Sequence, residues 1–114
     1  MAMYLVQASY TTEGVKGVLK EGGVGRRSAF EKAAESVGGR LEGYYFALGS
    51  EDVYALVDYP DAVAAAAVSM AVAASGAARV STVALLLPEE IDQATKKRVA
   101  YRSPGVHPDV FRRV

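Results

Sequence analysis

The sequence predicts an α+β domain: a four-stranded antiparallel sheet carrying helices on one face. Three observations predict it. Along Met3–Tyr10, Tyr4, Val6, Ala8 and Tyr10 fall on one side and Met3, Leu5, Gln7 and Ser9 on the other, which is the period of a strand. Strand and helix patterns then follow in the order strand, helix, strand, strand, helix, strand. The 114 residues are 51% hydrophobic and include no cysteine, so one core without a disulfide framework is expected.

After the first strand, Thr11 and Thr12 are helix-capping residues, and Val15, Val18 and Leu19 give one apolar face between Glu13 and Lys20. Gly22, Gly23 and Gly25 follow. Glycine disfavours helix by about 1 kcal/mol per residue, so a break or flexible loop is expected there, with the helix resuming at Arg26. Phe30, Ala33, Ala34 and Val37 form its inner stripe, and Gly38 is a stop signal. Arg40–Leu48 is a second strand and Val53–Tyr59 a third. Gly49-Ser50-Glu51-Asp52 between them is a turn by composition, so the two make a hairpin. Pro60 and Asp61 open a helix of alanine and valine that runs to about Ser75 and stops at Gly76. Its small side chains allow close approach to a sheet or a second helix. Arg79–Leu86 is the fourth strand, Pro88 opens a short helix over Glu89–Lys97, and Ser103-Pro104-Gly105 and His107-Pro108 mark irregular chain. The order is the split βαβ arrangement of ferredoxin-like folds. Both long helices then share one face of the sheet, and the other face is too apolar for water, so a second copy is the expected cover. A monomer with its tail folded over that face is the alternative.

Charge divides the chain. Residues 1–95 carry seven Lys/Arg and twelve Asp/Glu, a net −5; residues 96–114 carry six Lys/Arg and Asp109, a net +5. The division is therefore a domain over 1–95 and a basic tail over 96–114. The tail is expected to dock on its own domain or a sister subunit rather than on phosphate. Lys96, Lys97, Arg98 and Arg102 are its densest part, but nucleic-acid binding is not expected without a more basic domain and a reading element. The first residues lack a basic stretch followed by a long apolar run, so no signal peptide is expected. Ala62–Ala74 is too short to span a membrane. Absence of cysteine fits a cytoplasmic protein.

Several segments together carry a family resemblance. They are Tyr4-Leu5-Val6 with Tyr10-Thr11, Gly38-Gly39-Arg40-Leu41, Gly49-Ser50-Glu51-Asp52, Pro60-Asp61 before an alanine-rich helix, Pro88-Glu89-Glu90-Ile91-Asp92, and Tyr101-Arg102-Ser103-Pro104-Gly105. In this order and spacing the chain resembles the GYD domain family over nearly its whole length. The namesake Gly-x-Tyr-Asp departs at one place, with Glu51 where tyrosine is usual and Gly49 and Asp52 retained. The resemblance implies a dimeric α+β barrel, two sheets face to face and sometimes assembled further. It implies no settled activity. Related barrels include cofactor-independent monooxygenases, haem-handling enzymes, isomerases and ligand sensors, and fold does not choose among them.

Candidate chemistry is sparse. His107 is the only histidine. A histidine-rich metal site within one chain is thereby excluded, and no metal or cofactor is expected. A histidine in a tail also lacks the rigid support a general base needs. Strand tyrosines are normally core or interface, yet a phenol lining a cleft anchors a small polar or aromatic ligand; Tyr10, Tyr45 and Tyr54 are the candidate lining residues. Tyr44 and Phe46 share a face, with Tyr45 opposite. Asp52 is a further candidate, against the plainer role of bonding turn amides. Arg26 and Arg27 beside the glycines match neither a dinucleotide fingerprint nor a phosphate loop. The expected function is a homo-oligomeric module that binds a small molecule in a cleft, or only itself. The alternative is a small cofactor-independent monooxygenase or isomerase, and a regulatory sensor is weakened by the lack of a DNA-binding segment.

Overall fold

The computed structural model describes residues 2–105. The elements are β1 (Ala2–Tyr10), α1 (Thr12–Glu21), α2 (Gly23–Ser36), β2 (Arg40–Phe46), β3 (Val53–Tyr59), α3 (Ala62–Ala74), β4 (Ala78–Ala84) and α4 (Pro88–Thr95). The four strands form one antiparallel sheet in the order β2-β3-β1-β4. With a crossover helix after β1 and another after β3, this is the ferredoxin-like arrangement that the split βαβ pattern predicts.

Strand alternation divides the sheet into two faces. Tyr4, Val6 and Ala8 of β1 and Val53, Ala55, Val57 and Tyr59 of β3 are buried against the helices, together with Ala34 of α2 and Ala64, Ala65 and Val68 of α3. Tyr4 and Tyr59 meet edge to face at 5.5 Å, a favoured aromatic geometry. The other face carries Met3, Leu5 and Gln7 of β1, Tyr54, Leu56 and Asp58 of β3, Tyr45 of β2 and Val83 of β4. None of these is fully buried. The basic tail does not cover this face among the described residues: 96–105 are exposed throughout.

Helix ends follow their capping chemistry. The Thr11 hydroxyl accepts from the Gly14 amide (3.2 Å), and the Asp61 carboxylate accepts from the Ala64 amide (2.9 Å), each satisfying a first-turn donor. Gly38 and Gly76 take positive φ just beyond α2 and α3, the left-handed stop that glycine permits.

The glycine segment corrects the sequence reading. Only Gly22 breaks the helix, at φ +87°, and it ends α1 and begins α2 at once. Gly23 and Gly25 lie in the first turn of α2, not in a loop. First-turn amides lack intrahelical partners whatever the residue, and glycine at Gly23 admits the ring of Phe46, whose Cε2 would lie 3.0 Å from an added Cβ. Strands β2 and β4 each end two residues earlier than expected. His107 lies outside the described residues.

Candidate functional site

A cleft of about 340 Å³ opens between the helix-bearing face of the sheet, α2 and α3. It exists because the side chains that face it from the helices are mostly small. Ala67 and Ala71, one turn apart on α3, look across at Ala33 and Ser36 of α2. The alanines let α3 lie close to the sheet, but they leave the space between the two helices unfilled, and a well-packed interior would not tolerate a void of that size. The floor is Val6, Ala8, Val53, Ala55 and Val80.

Polar groups gather at one end. Tyr10 closes β1, Arg26 lies in the first turns of α2, and Tyr44 projects from β2 toward the same face. The Tyr10 and Tyr44 hydroxyls are 3.5 Å apart. Phe30 and Phe46 flank Tyr44, with ring centroids 5.8 and 5.6 Å away. Burial pushes the Tyr44 phenol well above the ordinary tyrosine range, and its interaction with Tyr10 adds to the shift. It is therefore a protonated donor at neutral pH and not a phenolate base. Burial works against the charge on Arg26, but contact with Glu21 and the Tyr10 phenol outweighs it and raises the pKa. Arg26 Nη1 bonds Glu21 Oε1 at 3.1 Å. The arrangement is a largely apolar slot ending in two phenols and an arginine whose Nη1 is already paired with Glu21. It suits a ligand with an apolar body and an acceptor at one end.

The four residues singled out from the sequence do not form one site. Tyr10 lines the cleft. Tyr45 and Tyr54 are cross-strand partners on the opposite, open face, where Tyr45 is 64% exposed. Asp52 is a backbone clasp: its Oδ2 accepts from the Tyr10 amide (2.8 Å) and its own amide donates to the Ala8 carbonyl (2.8 Å). It ties the β2–β3 turn to the end of β1 and so fixes where Tyr10 points. Glu51, in the motif tyrosine's place, accepts from the Ser9 hydroxyl at 3.0 Å. The sequence reading weighed Arg26 only as part of a phosphate loop and set it aside, and it placed Tyr44 beside Phe46 without making it a site residue. The signal for Arg26 is the stripe Phe30, Ala33, Val37: extended back by one turn it reaches residue 26. Among the described residues, no group of three or more His, Cys, Asp and Glu could hold a metal ion, and no helix is long and apolar enough to cross a membrane.

Comparison with curated proteins and with solved structures returned no match. The family model described as the GYD domain matches residues 4–95, a span that takes in β2, β3, β4, β1 from Tyr4 onward, the cleft and the Gly49–Asp52 turn, and the chain belongs to the GYD domain family.

Proposed function

We propose that this GYD domain is a cytoplasmic, self-associating module that binds an amphipathic small molecule in the cleft between α2, α3 and the sheet. The observation that carries the reading is the convergence of Arg26, Tyr10 and Tyr44 on one end of a largely apolar cleft. A cleft of this volume falls in the range of small-molecule sites, about 300–1,000 Å³. Its acceptor-seeking end selects a carboxylate or carbonyl, with Arg26 as the charged partner and the phenols as donors. Self-association is supported by the open face. Leu5, Leu56, Val83 and Tyr45 leave an apolar strip there, which a second copy would shield from water. Cytoplasmic placement rests on the absence of cysteine.

The test is an NMR screen of small aromatic and aliphatic carboxylic acids against the ¹⁵N-labelled protein. Shifts are expected at Tyr10, Arg26, Tyr44 and Val80. The variant Ala71→Trp places a bulky ring at the mouth, where Ala71 is exposed, and should abolish them. Shifts confined to Tyr45 and Tyr54, or unaffected by Ala71→Trp, would refute the cleft as the site.

A further inference from the structure

Residues 85–105 stand apart from the body that they leave. Among the described residues, their last backbone hydrogen bond to the sheet is that of the Leu85 amide, which donates to the Met3 carbonyl at 2.9 Å. From Leu85 to Gly105 every residue is exposed. Helix α4 buries nothing and no other element packs closely on it. The molecule measures 63 × 29 × 24 Å with a radius of gyration of 18.9 Å, where a compact chain of this length would have about 13 Å.

Such an arm needs a partner for its own stability. An isolated helix shorter than about 12–15 residues is marginal in water, and α4 has 8. Its start is well made, with Pro88 opening the first turn and the Leu87 amide donating to Glu90 Oε1 at 2.7 Å, but caps of this kind only supplement packing. Leu87, Ile91 and Ala94 fall at i, i+4, i+7 and form an apolar stripe that is exposed among the described residues.

We infer that residues 85–105 form an exchange arm that packs on the body of a second copy of this chain. The inference rests on the self-association proposed above and goes beyond it. Two quantities select a second copy as the occupant. Four strands of about seven residues make a sheet footprint of roughly 24 by 19 Å, about 450 Å². A stable interface takes about 800 Å² from each partner, so sheet-to-sheet contact alone falls short, and two reciprocal arms supply the difference. Charge agrees. The arm's acids, Glu89, Glu90 and Asp92, all lie in α4, and its basic stretch after the helix begins with Lys96, Lys97 and Arg98, while residues 2–84 carry seven Lys/Arg and nine Asp/Glu. The basic stretch thus meets a body with an acidic excess.

Ile91 is the only isoleucine in the chain, so methyl labelling of isoleucine yields a single probe on the stripe. Full-length protein labelled at the isoleucine methyl is mixed with protein carrying a different isotope label, and the dimers are allowed to exchange. The expected result is a set of NOEs from the Ile91 methyl to body protons of the other copy, and a dimer dissociation constant raised about tenfold or more by Ile91→Asp. NOEs only within one copy would overturn the inference, because the arm would then fold back on its own body. A sharp methyl signal without NOEs in a sedimenting dimer would also overturn it, leaving self-association intact. A protein that sediments as a monomer would sink both.

Discussion

The substitution Gly14→Ala should loosen the end of the cleft from a residue outside it. Gly14 is buried in the first turn of α1. A Cβ built there falls far inside van der Waals contact distance of the Ala77 carbonyl oxygen, 3.0 Å from the Ala77 carbonyl carbon and 2.9 Å from Tyr10 Cδ1. The carbonyl is not free to move: it accepts from the Thr11 amide at 2.9 Å, while the Thr11 hydroxyl donates to the Gly76 carbonyl at 2.8 Å. These bonds latch α1 to the turn before β4. Overpacking of this kind costs about 1–3 kcal/mol, and a strained latch bond adds about 1 kcal/mol. Against this stands a helix-propensity gain of at most about 1 kcal/mol, so the net loss is about 1–3 kcal/mol. Gly17, in the same helix, has nothing within 4 Å of an added Cβ. There the propensity term acts alone, and Gly17→Ala should stabilise by up to about 1 kcal/mol. Urea unfolding followed by circular dichroism, at one protein concentration for all three proteins, measures both. Shifts of the same sign in the two variants would refute the argument, since only the contact with Ala77 distinguishes the sites.

Three further outcomes are expected. Asp52→Ala leaves the Tyr10 amide without its carboxylate and should lower stability by about 1.5 kcal/mol, the low end for a charged hydrogen bond because Asp52 is partly exposed; Asp52→Asn keeps an acceptor and should lose less, and equal losses would count against the clasp. Burial raises the pKa of Tyr44 and of Tyr59. The stability they contribute is therefore fully present below the unfolded-state value of about 10 and is lost as pH rises beyond it through the folded values. In Tyr44→Phe the fall in melting temperature above about pH 10 should be shallower than in the unmodified protein, and identical profiles would contradict the assignment. Arg26→Met should weaken carboxylate binding in the cleft and leave binding of the corresponding neutral amides nearly unchanged, as read by titration calorimetry; an equal effect on both would remove Arg26 from the recognition end.

The sheet was legible in the sequence because alternation forces side chains to opposite faces. Tyr44 and Phe46 were expected on one face and Tyr45 on the other, and the rings of Tyr44 and Phe46 meet at 5.6 Å. The helix stops at Gly38 and Gly76 and the cap at Thr11 were equally plain, since each follows from a residue type suited to one position. The Gly22–Gly25 segment was not, because propensity sums treat every glycine as interior, whereas a helix start tolerates it and Gly23 makes room for Phe46. The cleft was hidden for a different reason. It is a void between helices, made by Ala67, Ala71 and Ala33, and small residues read the same way whether they permit close packing or leave a gap. Asp52 looked like a turn residue or a free carboxylate, because its true partner, the Tyr10 amide, is 42 positions away.

In the proposed function the two faces of the sheet have separate work, the helix side enclosing a ligand and the bare side meeting a second copy. Sedimentation equilibrium of the full chain beside Leu56→Asp tests this most directly. At micromolar concentration the unmodified protein should have twice the chain mass, and Leu56→Asp, with unchanged circular dichroism, the single-chain mass. A monomeric unmodified protein, or a Leu56→Asp dimer as tight as the original, would contradict it.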